Sequence, residues 1–553
     1  MTDHAWRMAA IVSAAILWGG PLLAQTGEET APAPVSASTA DHSKFEALKK
    51  LFTSGPEVTQ ACLSCHTEAS DQVMHTVHWQ WAYTQPDTGQ SNLGKSNVLN
   101  SFCGNVAGNE ARCTSCHIGY GWTDMREAAP QDPTRVDCLA CHDTTGAYAK
   151  LDNKAGNPPL DPLPAGARTI TGELASVVNL AEIAQKVGEP GRENCGNCHF
   201  YGGGGDNVKH GDLSSALYEP ELAVDVHMSA EGAGFTCTSC HVSESHAITG
   251  SRYDTNVTDP HAEDRPAGAA PEVAACSACH SESPHATTVI GLKLNDHTDT
   301  LACQSCHIPE FARGGIATKT LWDWSTAGQL GADGKVISTE GYVQGDGKAL
   351  HSYISTKGTF AWAENVVPYY AWFDGDVSFT VPDQPIDPSR RLEINRLSGS
   401  ADDPDARIFP FKRMEGRQPY DTGSNLLAYN HTYGPGTETA FWVNFDWDKS
   451  LQAGMEYVGA AYSGSYDFID TYMYWPITHM VAPAADAVDC VECHSPGGRL
   501  ATVAGIYVPG SGLGPGGKLG LLMLIATALG MAGHGAIRLL RRGRKTNGGA
   551  DHG

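Results

Sequence analysis

The feature that most constrains this chain is the pattern Cys-x-x-Cys-His, which occurs eight times in 553 residues. It begins at Cys62, Cys113, Cys138, Cys195, Cys237, Cys276, Cys303 and Cys490. The second cysteines are Cys65, Cys116, Cys141, Cys198, Cys240, Cys279, Cys306 and Cys493, and the histidines are His66, His117, His142, His199, His241, His280, His307 and His494. Two cysteines three positions apart on one turn form thioethers to the two vinyl groups of a haem, and the adjacent histidine faces its iron. A zinc site or a redox disulfide also uses paired cysteines, but neither requires histidine at the next position, let alone eight times. The repeat predicts eight covalently bound c-type haems and commits all but one of the seventeen cysteines.

Haems supply apolar volume that side chains otherwise provide, which suits a chain with 61 glycines and 31 prolines. The formal charge of −25 argues against nucleic acid as a partner, and any anionic substrate needs a local positive patch. Residues 45–310 hold seven motifs and read as a seven-haem domain of short helices separated by Gly, Pro and Asp turns. At that density neighbouring haems lie nearly in contact, as electron transfer requires. Residues 311–449 hold no motif; aromatic runs such as Thr359-Phe360-Ala361-Trp362 read as a small β or irregular insertion wrapping the haem core. Residues 450–507 carry the eighth motif after a rhythm of Leu451, Met455, Val458, Ala461, Tyr462, Phe468 and Tyr472 that predicts a long closing helix. The expected fold class is a mainly α multihaem cytochrome with low regular secondary structure, a haem-packed core, a small β/irregular insertion, a C-terminal long helix and one transmembrane helix.

Residues 1–24 combine Arg7, a short apolar run and small residues, which reads as a secretory signal peptide; the run is short for an uncleaved bilayer span. Residues 25–44 read as a flexible tether. Residues 508–518 form a Gly/Pro/Ser linker, residues 519–540 are apolar, and Arg541, Arg542, Arg544 and Lys545 follow within a basic tail, 541–553. Length and flanking charge predict a transmembrane helix with a cytoplasmic C-terminus, and so a periplasmic body anchored in the cytoplasmic membrane.

Beyond the eight motif histidines fifteen remain, and setting aside His4 in the signal segment and His534 and His552 in the anchor and tail leaves twelve for the far side of the haems: His42, His75, His78, His210, His227, His246, His261, His285, His297, His351, His431 and His479. Seven bis-histidine haems use seven of them, and such ligation blocks iron and makes wires. Position near a motif or in the closing segment favours His78, His210, His227, His246, His285, His297 and His479. His75 competes with His78, and His431 is held in reserve. Lys209, taken alone, reads as a solvated lysine after four glycines.

The run Cys195 to Leu213, which ends Gly-Gly-Gly-Gly-Asp-Asn-Val-Lys-His-Gly-Asp-Leu, together with Val136 to Gly146 and Asn100-Ser101-Phe102-Cys103, closely resembles the octahaem tetrathionate reductase family. The resemblance covers nearly the whole secreted part. It implies that the haem on Cys113, Cys116 and His117 is the active one, with Lys209 as its distal ligand and the other seven bis-histidine. It further implies that Asp206, Asn100 and Cys103 line the cavity. Asp206 would orient the lysine or relay a proton, and Cys103, the one cysteine outside a motif, would be a thiol able to exchange with an S–S bond. The implied substrate is a small sulfur oxyanion or nitrogen oxide: tetrathionate cleaved to two thiosulfates, or nitrite or hydroxylamine. The anchor departs from the soluble family pattern and points to electrons from the membrane, from a quinol-linked or cytochrome donor. The rival reading is an electron-transfer cytochrome with eight bis-histidine haems and no catalytic site. A hydroxylamine-oxidising type would need a crosslinked tyrosine, and nothing singles one out among nineteen.

Overall fold

A computed structural model describes residues 40–100, 104–253, 255, 275–509 and 514–545. The expected signal peptide, most of the tether, Cys103, His261 and most of the basic tail lie outside the described residues. Within the segment expected as tether, His42–Lys44 form a helical turn capped by the Asp41 carboxylate.

Each attachment motif occupies a single short helical segment. Gly55–Cys62 ends on the first motif, Arg192–His199 carries the fourth, and the other six ride on turns of four residues: Cys113–Cys116, Leu139–His142, Cys237–Cys240, Ser277–His280, Gln304–His307 and Cys490–Cys493. Helices this short do not hold themselves. Buried polar contacts do part of that work. Asp137, next to Cys138, accepts hydrogen bonds from the hydroxyls of Tyr120 (2.7 Å) and Tyr148 (2.9 Å) and pairs with the Lys150 amine at 3.1 Å. Lys150 also donates to the backbone carbonyl of His117, tying the second motif to the third.

The motif-free region corrects the expected fold class. Helix makes up 26% and strand 18% of the described residues, so the fold is not mainly α. The strands are β1 (Thr318–Asp323), β2 (Ser338–Val343), β3 (Ala349–Ile354), β4 (Gly358–Ala363), β5 (Tyr369–Phe373), β6 (Leu392–Glu393), β7 (Arg407–Asp421), β8 (Leu426–Leu427) and β9 (Tyr466–Pro476). They form one nine-stranded mixed sheet in the order β2-β3-β4-β1-β7-β9-β6, with β5 and β8 also paired to β7. β7 runs antiparallel to β9 from Phe411↔Pro476 to Asp421↔Tyr466 and parallel to β1. Trp322, Phe373, Phe409, Phe411, Met414, Met473 and Trp475 are buried around these strands, so the largest side-chain core belongs to the sheet rather than to the motifs.

The long closing helix is also corrected. Helix α1 covers only Trp447–Tyr457, starting at the Asp446 cap and followed at Gly459 by a residue with φ +71°. The chain then turns into β9, where Ile469, Thr471 and Met473 alternate inward. Phe468 and Tyr472, four apart, imitate a helical stripe, but β-branched and aromatic residues at this density pack better on a pleated surface beside β7. Helix α2 (Pro515–Lys545) begins inside the expected linker; its stretch Gly516–Arg541 has a mean hydropathy of 1.6 and is long and apolar enough to cross a membrane.

Candidate functional site

Seven of the eight motif histidines face a second imidazole. The ring centres of His42 and His66 are 6.2 Å apart, His78 and His199 6.1 Å, and His142 and His246 6.3 Å. His227 and His280 are 6.0 Å apart, His241 and His479 6.2 Å, His285 and His307 6.2 Å, and His297 and His494 6.1 Å. A metal bonded at about 2 Å to one nitrogen of each ring separates two trans ring centres by roughly 6 Å. These pairs therefore fit haem iron. Their outer nitrogens are held as metal-binding imidazoles require: Nδ1 lies 2.8 Å from the Gly188 carbonyl in His142, 2.9 Å from that of Thr249 in His241, and 3.1 Å from the Asp212 carboxylate in His479. Among the described residues no cage of three or more His, Cys, Asp or Glu side chains gathers, so the histidines act in twos.

The attachment sulfurs order these sites. Neighbouring attachment sulfurs are Cys62 with Cys138, Cys116 with Cys198, Cys195 with Cys237, and Cys276 with Cys303. Cys141 lies within electrostatic reach of Cys195, Cys240 of Cys279, and Cys306 of Cys493. The sites thus run first, third, fourth, fifth, sixth, seventh, eighth, with the second beside the fourth.

The second site is built differently. His117 sits among Trp79, Trp81 and Trp122, with ring centres at 4.8, 5.2 and 5.0 Å. Its Nε2 lies 2.8 Å from the Trp79 carbonyl, while its Nδ1 is buried with no hydrogen-bond partner. Burial pushes its pKa down to about 3, so the ring is neutral. One orphaned nitrogen on a neutral, buried imidazole fits a metal, and among the described residues no second imidazole faces it.

Lys209 reaches this neighbourhood from the loop after the fourth motif. Its amine lies 5.3 Å from the Trp475 ring centre. Burial, followed by the charges of Arg252 and Lys95, holds its pKa well below the lysine range, and the Cys116 thiol is the nearby group acting the other way. Arg252 lies 4.8 Å from the same Trp475 ring, and Lys95 lies 4.5 Å from that of Trp81. In a chain of net charge −25, these cations supply the local positive patch.

The other expected residues fall into place unevenly. Asp206 accepts from the Ser215 backbone N–H at 2.9 Å and from its hydroxyl, so its recorded bonds lead to Ser215 rather than to the Lys209 amine. Asn100 is buried, and its side chain donates to the Gly104 carbonyl at 3.1 Å across the loop that contains Cys103, which lies outside the described residues. His210, favoured as a distal partner, packs edge-on against Trp475 at 5.2 Å with a buried, unpartnered Nε2, and His42 takes the seventh pairing instead. His42 was one of twelve candidates, but it lay in sequence read as tether. His75 is exposed and bonds the Asp71 carbonyl at 2.7 Å, and His431 lines a separate cleft of about 650 Å³ with Tyr433 and Glu110.

The chain is similar to known proteins over much of its length. Residues 319–497 match the family model described as "Cytochrome c bacterial". An uncharacterized protein of Archaeoglobus fulgidus is 26% identical over 269 residues, spanning 41% of this chain and 86% of that protein. The crystal structure of octaheme cytochrome c from Shewanella oneidensis superposes with a TM-score of 0.70 at 39% identity, covering 86% of this chain and 97% of that one. The chain belongs to the octahaem multihaem c-type cytochromes, and it is a redox protein that carries covalently bound c-type haem.

Proposed function

We propose that this chain is a periplasmic, membrane-tethered octahaem reductase with its reactive centre at Cys113, Cys116 and His117. The observation that carries the reading is the asymmetry: seven motif histidines face a partner imidazole, and His117 alone, among the described residues, does not. Held by the motif cysteines and histidines, the haems would supply one-electron redox chemistry and, at Cys113, Cys116 and His117, a metal centre for a small inorganic substrate. For tetrathionate, two electrons cleave the central S–S bond to give two thiosulfates; nitrite and hydroxylamine are the alternative substrates.

Lys209 is the distal partner of His117 in this reading. A neutral amine has a lone pair to offer, and burial beside Arg252 and Lys95 keeps it neutral. To admit substrate, the side chain swings aside or takes up a proton and leaves. Arg252, Lys95 and the displaced lysine offset the charge of an oxyanion. Asp206 accepts from Ser215 and so closes the loop that carries Lys209, and through that loop it would orient the lysine. The sulfur neighbours support a continuous relay of seven sites with the reactive one beside the fourth. Helix α2 supports an anchor in the cytoplasmic membrane and a donor there, quinol-linked or another cytochrome.

His210 favours a second reading, an electron-transfer cytochrome without a catalytic site, because its buried Nε2 has no partner and would complete an eighth imidazole pair. Low-temperature EPR and magnetic circular dichroism of the intact protein decide between them. A lysine–histidine centre is expected in the parent and absent from Lys209→Leu, with reduction of tetrathionate, nitrite or hydroxylamine lowered roughly 100-fold in the variant. Eight bis-histidine centres and equal rates would overturn the reductase reading.

A further inference from the structure

The geometry points to Lys412 as the positioning residue that turns Lys209, and not its neighbour His210, toward the second attachment site. This rests on the reading of Lys209 as the distal partner of His117.

Lys412 stands in the middle of β7, fully buried, opposite Trp475 on β9. Its amine donates to the backbone carbonyls of Val208 at 2.8 Å and Lys209 at 3.1 Å and contacts the Thr318 hydroxyl at 2.7 Å. Three oxygens match the three N–H bonds of an ammonium, and among the described residues no carboxylate lies within ion-pair distance of it. A buried amine without an ion pair is costly, and a hydrocarbon side chain would fill the space without that cost. What the amine adds is direction.

The two carbonyls it grips belong to the peptide planes on either side of the Lys209 Cα. Fixing both planes fixes φ and ψ of Lys209, and with them the direction in which its side chain leaves the backbone. The neighbouring contacts close the same segment. Thr318 donates to the Asn207 carbonyl at 2.6 Å, and Asn207 donates to that of Ile316 at 3.0 Å. At the far end Gly211, at φ +95°, passes so close that a Cβ there would lie 2.8 Å from Phe311 and 3.0 Å from the Lys412 stem. Asp212 then accepts the backbone N–H groups of Thr478 and His479. The Lys209 amine and the His210 ring pack against the same Trp475 ring, at 5.3 and 5.2 Å, and the amine has the Cys116 sulfur within electrostatic reach. An imidazole is the commoner partner for such iron, as seven pairs in this chain attest, so the choice of lysine has to be imposed by the backbone.

The test uses full-length haem-loaded protein and its near-infrared magnetic circular dichroism, which reports axial ligands independently of turnover. In Lys412→Met the lysine–histidine band is expected to fall by more than half, with a matching gain of bis-histidine signal that disappears when His210→Ala is added. kcat is expected to drop about 100-fold, as misplacement of a reacting group predicts, with KM changed less. Thr318→Val removes one of the three contacts and keeps the amine; a partial loss of the same band is expected, and this variant carries the test if Lys412→Met does not fold. A full-strength lysine band in either folded variant overturns the inference while leaving the ligand reading intact. Absence of the band from the parent overturns the ligand reading, and the inference with it.

Discussion

The attachment layer and the sheet follow opposite rules. In the attachment layer most functional units are turns of four residues, written in the sequence as a repeat and held in space by buried polar contacts such as those of Asp137. In the sheet no local repeat exists, and strands far apart in sequence meet around Trp322, Phe411 and Trp475. The two meet at one loop: its glycines follow the fourth motif, while Lys412, Trp475 and Thr318 grip it from β7, β9 and β1. The lesson is a division of labour. The repeat provides eight similar attachment motifs, and the sheet supplies the contacts that hold the loop bearing Lys209.

That contrast can be broken at either side. The largest effect is expected from Asp137→Asn, which leaves the buried Lys150 amine without its counter-charge; loss of one member of such a pair costs about 3–5 kcal/mol. Thermal unfolding of the loaded protein checks this, and a change below about 1 kcal/mol would show that the attachment layer does not depend on that contact. Next, His42→Ala removes one ring of a 6.2 Å pair and should convert one low-spin centre to high spin, whereas His210→Ala should leave the parent's low-spin count unchanged. EPR integration distinguishes them, and the reverse result would exchange the assignments of these two histidines.

On the sheet side, Gly211→Ala forces a side chain into a left-handed backbone position already crowded by Phe311. It should destabilise by about 1–3 kcal/mol and perturb only the second site's spectrum, leaving the seven paired centres as they are. The smallest effect is a pH dependence. Burial lowers the Lys412 pKa to about 7 in the folded chain, against an ordinary lysine value when unfolded. Between those values the unfolded state binds the extra proton, so stability rises with pH from about 7 upward and the burial penalty is fully present below it. In Lys412→Met that part of the slope should vanish in denaturant titrations at pH 7 and pH 9.

Legibility followed the same division. The motifs, and the partner histidines nearest to them, were readable because covalent attachment imposes strict spacing and the chain between sites is short. His42 was not, because the Ala, Pro and Ser before it gave the segment a tether's composition. His210 misled because its neighbourhood in sequence is that of Lys209, and only the orientation of two peptide planes separates them. Aromatic alternation at residues 359–373 signalled strands, but their number and partners depend on β7, whose pairing with β9 joins positions tens of residues apart. Phe468 and Tyr472 carried a helical spacing that Gly459 and Gly464 interrupt. Lys412 left no local mark, since its acceptors are main-chain carbonyls some two hundred positions upstream.

That separation has a consequence for how the protein matures. Val208 and Lys412 are 204 residues apart, so while the chain is emerging N-terminus first, the loop bearing Lys209 is made long before anything exists to clamp it. The first seven attachment motifs are likewise made before β7, and on the proposed reading the second site would meet both amine and imidazole before the clamp exists. On the proposed role of Lys412, the second site would acquire its ligand only when the C-terminal strands arrive, which would make that choice a late event in the birth of the molecule.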